Sequence, residues 1–89
     1  MTIAFFPAIV ERGEAGVGVI FPDPPGCATM GDTIQEAARN AEQVLADYLV
    51  AMADHGYPIP EPGTLDAIEP APVFDEAARI LVRAELPGR

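Results

Sequence analysis

Apolar residues follow two rhythms along this chain. From Thr2 to Val10 they occupy nearly every position, which reads as a strand covered on both faces. Ile3, Phe5 and Ile9 share one side of it, and Phe6 and Val10 the other. Pro7 cannot donate to a ladder, so this strand is expected to be an edge or to bulge there. Glu11-Arg12-Gly13-Glu14-Ala15-Gly16 is polar and carries glycine, a hairpin turn. From Val17 to Phe21 the pattern alternates, with Val17, Val19 and Phe21 on one face and Gly18 opposite, leaving room for close approach. Phe21-Pro22-Asp23-Pro24-Pro25-Gly26-Cys27 then reverses the chain. Its Pro25-Gly26 pair supplies the fixed φ and the positive φ of a type II turn. A short strand from Cys27 to Met30 follows.

Beyond Thr33 the rhythm changes to threes and fours. Ile34, Ala37, Ala38, Ala41, Val44, Leu45, Tyr48, Leu49 and Met52 form one apolar stripe of a helix. Gln35, Glu36, Arg39, Glu42, Gln43 and Asp47 fill the remaining face. Thr33 followed by Glu36 is a capping box. Gly56 is the expected stop, with His55 near the negative end of the helix dipole. Pro58, Pro60, Pro62 and Pro70 make residues 57–72 an extended, semi-rigid connector. Arg79 to Leu86 reads as a last strand, ended by Pro87-Gly88, while Phe74 to Ala78 fits either strand or connector.

The order is β-β-β-α-β. It predicts a single α+β domain over residues 1–89, with a core in 2–56 and an antiparallel sheet covered on one face by one long helix. The other apolar sheet face needs a second copy or a different protein over it, so a homodimer or higher homo-oligomer is expected.

Charge narrows the choice of partner. Fourteen acidic residues face five basic ones, all arginine, for a net of −9. Such a chain repels nucleic acid and anionic membrane surfaces and attracts a basic protein, although acidity also serves solubility alone. Cys27 is the only cysteine, so no internal disulfide forms, in keeping with a reducing cytoplasm. No signal peptide is visible, and Ile3 to Val10 is too short to span a bilayer.

Catalytic chemistry finds little support. A nucleophile needs an oriented base beside it, and the one histidine, His55, sits at a helix end. Zinc needs about four His/Cys-type ligands at short spacing, and the chain has one of each. Two-metal chemistry needs carboxylates on strands, where Glu85 stands alone. Neither an enzyme nor a cofactor or metal is expected.

Three segments together resemble the HicB family, antitoxins of HicAB toxin–antitoxin modules. They are Phe6-Pro7-Ala8-Ile9-Val10-Glu11, the run from Gly16 to Cys27, and Met30-Gly31-Asp32-Thr33-Ile34-Gln35-Glu36-Ala37, with Pro58-Ile59-Pro60-Glu61-Pro62 closing the similarity. The resemblance implies a partial RNase H-like fold and no catalytic activity. It also implies a partner: HicA, a small basic mRNA-cleaving toxin with a double-stranded-RNA-binding-like fold and a catalytic histidine. Toxin contacts are expected at Glu11 and Glu14 in the first turn and at Phe21, Asp23 and Pro24 in the second. Core packing and turn geometry are the favoured account of Phe21, Pro25 and Gly26, and Asp23 can equally cap its own turn. Members of the family usually continue into a DNA-binding segment. None follows Arg89, so operator binding by these residues is not expected. The competing expectation is a stand-alone regulatory or small-ligand module of the same fold.

Overall fold

Thr33 opens the helix α1, Ile34–Asp54, by accepting a hydrogen bond from the Glu36 N–H at 3.0 Å. The Glu36 carboxylate reaches back to the N–H of Asp32 at 2.7 Å, one residue earlier than a standard capping box. The far end closes on Gly56, whose φ of 77° suits a residue without Cβ. The Gly56 N–H bonds Ala53 O and the Tyr57 N–H bonds Met52 O, the paired bonds of a Schellman motif. This computed structural model describes residues 2–68 and 76–87.

Four strands, β1 (Thr2–Gly13), β2 (Gly16–Ile20), β3 (Ala28–Gly31) and β4 (Glu76–Leu86), form one sheet in the order β3-β2-β1-β4, every neighbour antiparallel. The α+β architecture is therefore the one the sequence pattern predicts. Its first strand is not an edge, however. β1 lies inside the sheet, with β2 on one flank and β4 on the other. Pro7 is tolerated because β2 pairs only from Ile9 onward, so beside Pro7 that flank has no ladder to supply. The register with β4 shifts between Val10 and Glu11, where Ala77 becomes an extra residue on β4. β1 also outruns its apolar stretch. Glu11, Arg12 and Gly13 pair with Gly18, Val17 and Gly16, which leaves only Glu14 and Ala15 for the turn. A ladder uses backbone groups, so polar side chains did not end it. β4 likewise starts at Glu76. Residues 69–75, including Pro70 and Phe74, fall outside the described residues.

The core lies between α1 and one sheet face. Phe6, Ala8 and Val10 of β1, Val19 of β2, Val82 and Ala84 of β4, and Phe21 and Cys27 of the following loop pack on Ala37, Ala41, Leu45 and Leu49. Ile34 remains 43% exposed, so the stripe meets the sheet only from Ala37 on. There β3 presses on the helix. A Cβ on Gly31 would lie 2.5 Å from the backbone nitrogen of Ala37, and neither backbone can retreat alone. Leu45→Ala should cost about 2–5 kcal/mol, and Gly31→Ala about 1–3 kcal/mol by overpacking. Urea denaturation checks both; a Gly31→Ala protein of unchanged midpoint would contradict the close approach.

Candidate functional site

The sheet face turned away from α1 carries the features that could meet a partner. Odd-numbered residues of β1 and β4 point there: Phe5, Pro7 and Ile9 beside Arg83, Leu81 and Arg79. Part of this face is covered by the chain itself. The connector after α1 returns across it and forms a short 3-10 turn, Leu65–Ala67, that buries Ile68. Arg79 pins this strap. Its Nη1 donates to Leu65 O and Ile68 O, each at 2.8 Å, and its Nε donates to Glu76 Oε2 at 2.6 Å. The Glu76 hydrogen bond holds the guanidinium proton more tightly than usual, against a smaller opposing effect of burial. Beyond the strap, Phe5 and Leu81 are each 51% exposed, in an open groove of about 370 Å³ flanked by Leu65 and Asp66.

The five residues expected to contact a toxin do not share one surface. Glu14 is exposed in the β1–β2 turn. Glu11 is half-buried in β1 rather than in the turn, and its carboxylate lies over Gly18, with Oε1 3.7 Å from where a Cβ would stand. Phe21 is 2% exposed and Pro24 is fully buried, so their side chains serve the core and the loop and offer no surface. Asp23 is exposed, lining a cavity of about 70 Å³ with Pro22, Gly63, Thr64 and Ile68, and its carboxylate makes no hydrogen bond among the described residues. β2 alone separates Asp23 from the Glu14 turn by about 17 Å, from five residues at ~3.3 Å each. Glu11 and Glu14 thus lie toward one end of the sheet and Asp23 at the other.

The turn around Asp23 has the expected form. Cys27 N–H bonds Pro24 O, Gly26 has a φ of 86°, and the Tyr48 hydroxyl donates to Pro25 O at 2.9 Å, tying the loop to α1. Cys27 beneath it is buried, and desolvation pushes its thiol up from the usual range, which disfavours the reactive thiolate. His55 caps the exposed end of α1 beside Tyr57, with ring centroids 6.3 Å apart. Strands hold more carboxylates than expected, Glu11, Glu76 and Glu85. Glu11 faces Glu76 across the ladder, and Arg79 neutralises Glu76. Among the described residues no three His, Cys, Asp or Glu side chains come together as a metal site, and no helix is long and apolar enough to cross a membrane.

Residues 6–87 match the family described as HicB_like antitoxin of bacterial toxin-antitoxin system. The chain belongs to this HicB-like antitoxin family. Its fold recurs in solved members. The N-terminal domain of the Burkholderia pseudomallei antitoxin HicB superposes with a TM-score of 0.74 at 25% identity, over 89% of this chain and 95% of that one. A chain of a HicA3 and HicB3 toxin-antitoxin complex gives 0.70 at 27% identity, over 96% and 100%. A chain of a toxin-antitoxin complex from Streptococcus pneumoniae shares the fold at 0.79 and 16% identity, over 94% and 70%. An uncharacterised 14.9 kDa protein from the rep-hol intergenic region of Haemophilus phage HP1 is 26% identical over 81 residues. That match takes in 91% of this HicB-like chain but only 61% of the phage protein, so the chain spans less than two thirds of that relative's length.

Arg79 and the strap are the parts of this HicB-like site that sequence reasoning missed. A proline-rich connector announces no docking partner, and an arginine opening a strand looks solvated. The one available signal was Leu65 and Ile68, two apolar residues in an otherwise polar stretch.

Two outcomes follow from the site. Arg79→Ala should release the strap, seen as faster hydrogen exchange and proteolysis across residues 57–68 while α1 amides stay protected. For Cys27, the unfolded thiol ionises first, near pH 8.5, because the folded one is raised. Above that pH the unfolded state binds fewer protons, so stability falls as pH rises toward the folded value. Denaturation of wild type and Cys27→Ala at pH 7 to 10 should show a steeper decline in wild type; parallel curves would contradict the desolvated thiol.

Proposed function

We propose that this domain neutralises a small basic HicA-type ribonuclease toxin by binding and masking it, without catalysis of its own. The observation that carries the reading is the family match over residues 6–87, joined to a chain charge of −9. The similarity to a chain of a HicA3 and HicB3 complex supports a toxin as the partner class. Opposite fields raise encounter rates and place carboxylates on ground that RNA phosphates would otherwise take. Acidic contacts fall to the exposed Glu14 and the half-buried Glu11 toward the hairpin, and to the exposed Asp23 at the loop; Phe21 and Pro24 only shape the loop that presents Asp23. The exposed Phe5 and Leu81 add apolar area nearby.

In this reading the protein acts in the cytoplasm, needs no cofactor, binds no nucleic acid through these residues, and works as a homodimer or higher homo-oligomer. Co-expression with a small basic HicA-type toxin tests the masking. Growth should be rescued. Reversing Glu11, Glu14 and Asp23 to lysine together should weaken rescue, and raising salt from 50 to 500 mM should weaken the purified complex at least about tenfold. Failure of rescue by the wild-type chain would overturn the function; rescue untouched by the triple reversal would overturn these contacts.

A further inference from the structure

The two ends of the sheet are finished differently. β3 is four residues long and closes on Gly31 against α1. β4 runs for eleven residues, has β1 as its only neighbour among the described residues, and contains no proline. Its first residues are turned by the bulge at Ala77, but from Arg79 to Leu86 the register with β1 is regular. Long, straight edges of this kind are templates for further pairing unless they are blunted.

Pro7 shows which β4 groups face outward. It stands opposite Leu81 and has no N–H to give. Pairing loses no bond there when Leu81, and with it Arg79, Arg83 and Glu85, turn their N–H and C=O away from β1. The open edge therefore presents the backbone of these four residues.

Their side chains select the occupant. Glu76, Arg79, Arg83 and Glu85 are the charged residues of β4, two acids and two bases, so the strand is neutral in a chain of net −9. A second copy meets no local repulsion along this edge. Two-fold antiparallel pairing allows few registers. Centred on Leu81, it sets Arg79 against Arg83; centred on Arg83, it sets that arginine against itself. Centred on Val82, it sets Glu85 of one copy opposite Arg79 of the other, twice, and Leu81 opposite the aliphatic stem of Arg83. That register joins Ala78 to Leu86 with no like charges opposed. Arg79 spends four of its five donors inside its own chain, on Glu76, Leu65 and Ile68, and keeps one for the carboxylate that arrives.

We propose that two copies of this domain pair through β4 about a two-fold axis at Val82, extending each four-stranded sheet into one of eight strands. This rests on the reading that the domain self-associates, and it names the seam.

Sedimentation of the full chain from 5 to 200 µM tests it, together with hydrogen exchange at both concentrations. Wild type should dimerise, and the amides of Leu81, Arg83 and Glu85 should gain protection with concentration. Glu85→Arg opposes arginines at both symmetric pairs and should weaken the dimer about tenfold or more, with Glu85→Gln between. Arg83→Pro removes an outward N–H and should leave a monomer, accepted as a test only where its circular dichroism matches wild type. A monomeric wild type overturns self-association and the seam together. A wild-type dimer whose constant is unchanged by Glu85→Arg, or whose β4 amides gain no protection, overturns the seam alone. Protection of those amides only on adding a basic toxin would also overturn it, by assigning the edge to that partner.

Discussion

β1 is apolar on both sides, and the domain has one helix to cover it. α1 takes the face of Phe6, Ala8 and Val10, where it can approach closely through Ala37, Ala41 and the bare backbone of Gly31. The opposite face, with Pro7 and Ile9 at its centre, is left to the connector. As far as Ile68, that segment has no regular ladder of its own to hold it down. Its polar backbone is satisfied in part by Arg79, which reaches two of its carbonyls from β4. The strap covers the middle of the face and stops short of Phe5 and Leu81. How this second face is closed accordingly decides which surfaces remain for other molecules.

The charges of the domain are hardly used inside it. Among the described residues no polar or charged side chain is buried, and the one ion pair is Arg79 with Glu76. The fold is held by apolar packing and by helix and turn caps, leaving most of the acidic excess on the surface. An excess of this kind costs some self-repulsion. It is spread over the hairpin, the outward face of α1 and the loop around Asp23 rather than gathered into one cleft. Such a distribution suits capture of a cationic surface better than chemistry at a point.

Local rules carried much of the fold. The stripe from Ala37 to Met52, the cap at Thr33, the stop at Gly56 and the turn at Pro25-Gly26 each depend on neighbours a few residues apart, and all are readable in order. The place of β1 was not. Pro7 argues for an edge only when both flanks are laddered, and the sequence cannot tell that β2 ends at Ile20, opposite Ile9. Glu11 illustrates the same limit at the site. A polar residue after an apolar run looks like a turn, yet the ladder continued because Gly18 opposite left room for its side chain. Phe21 and Pro24 lie in a loop rich in proline, which invites a surface role. Their burial follows from the loop folding back under Tyr48 and over the strap, contacts distant in sequence. The strap's docking on Arg79 is of the same non-local kind.

The most direct measurement is RNA cleavage by a purified cognate HicA-type toxin, titrated with the domain at low and high salt. The account predicts inhibition that saturates at a fixed molar ratio, weakens as salt rises, and comes from a domain that cleaves nothing alone. Toxin activity unaffected by excess domain, or RNA cleavage by the domain itself, would contradict it.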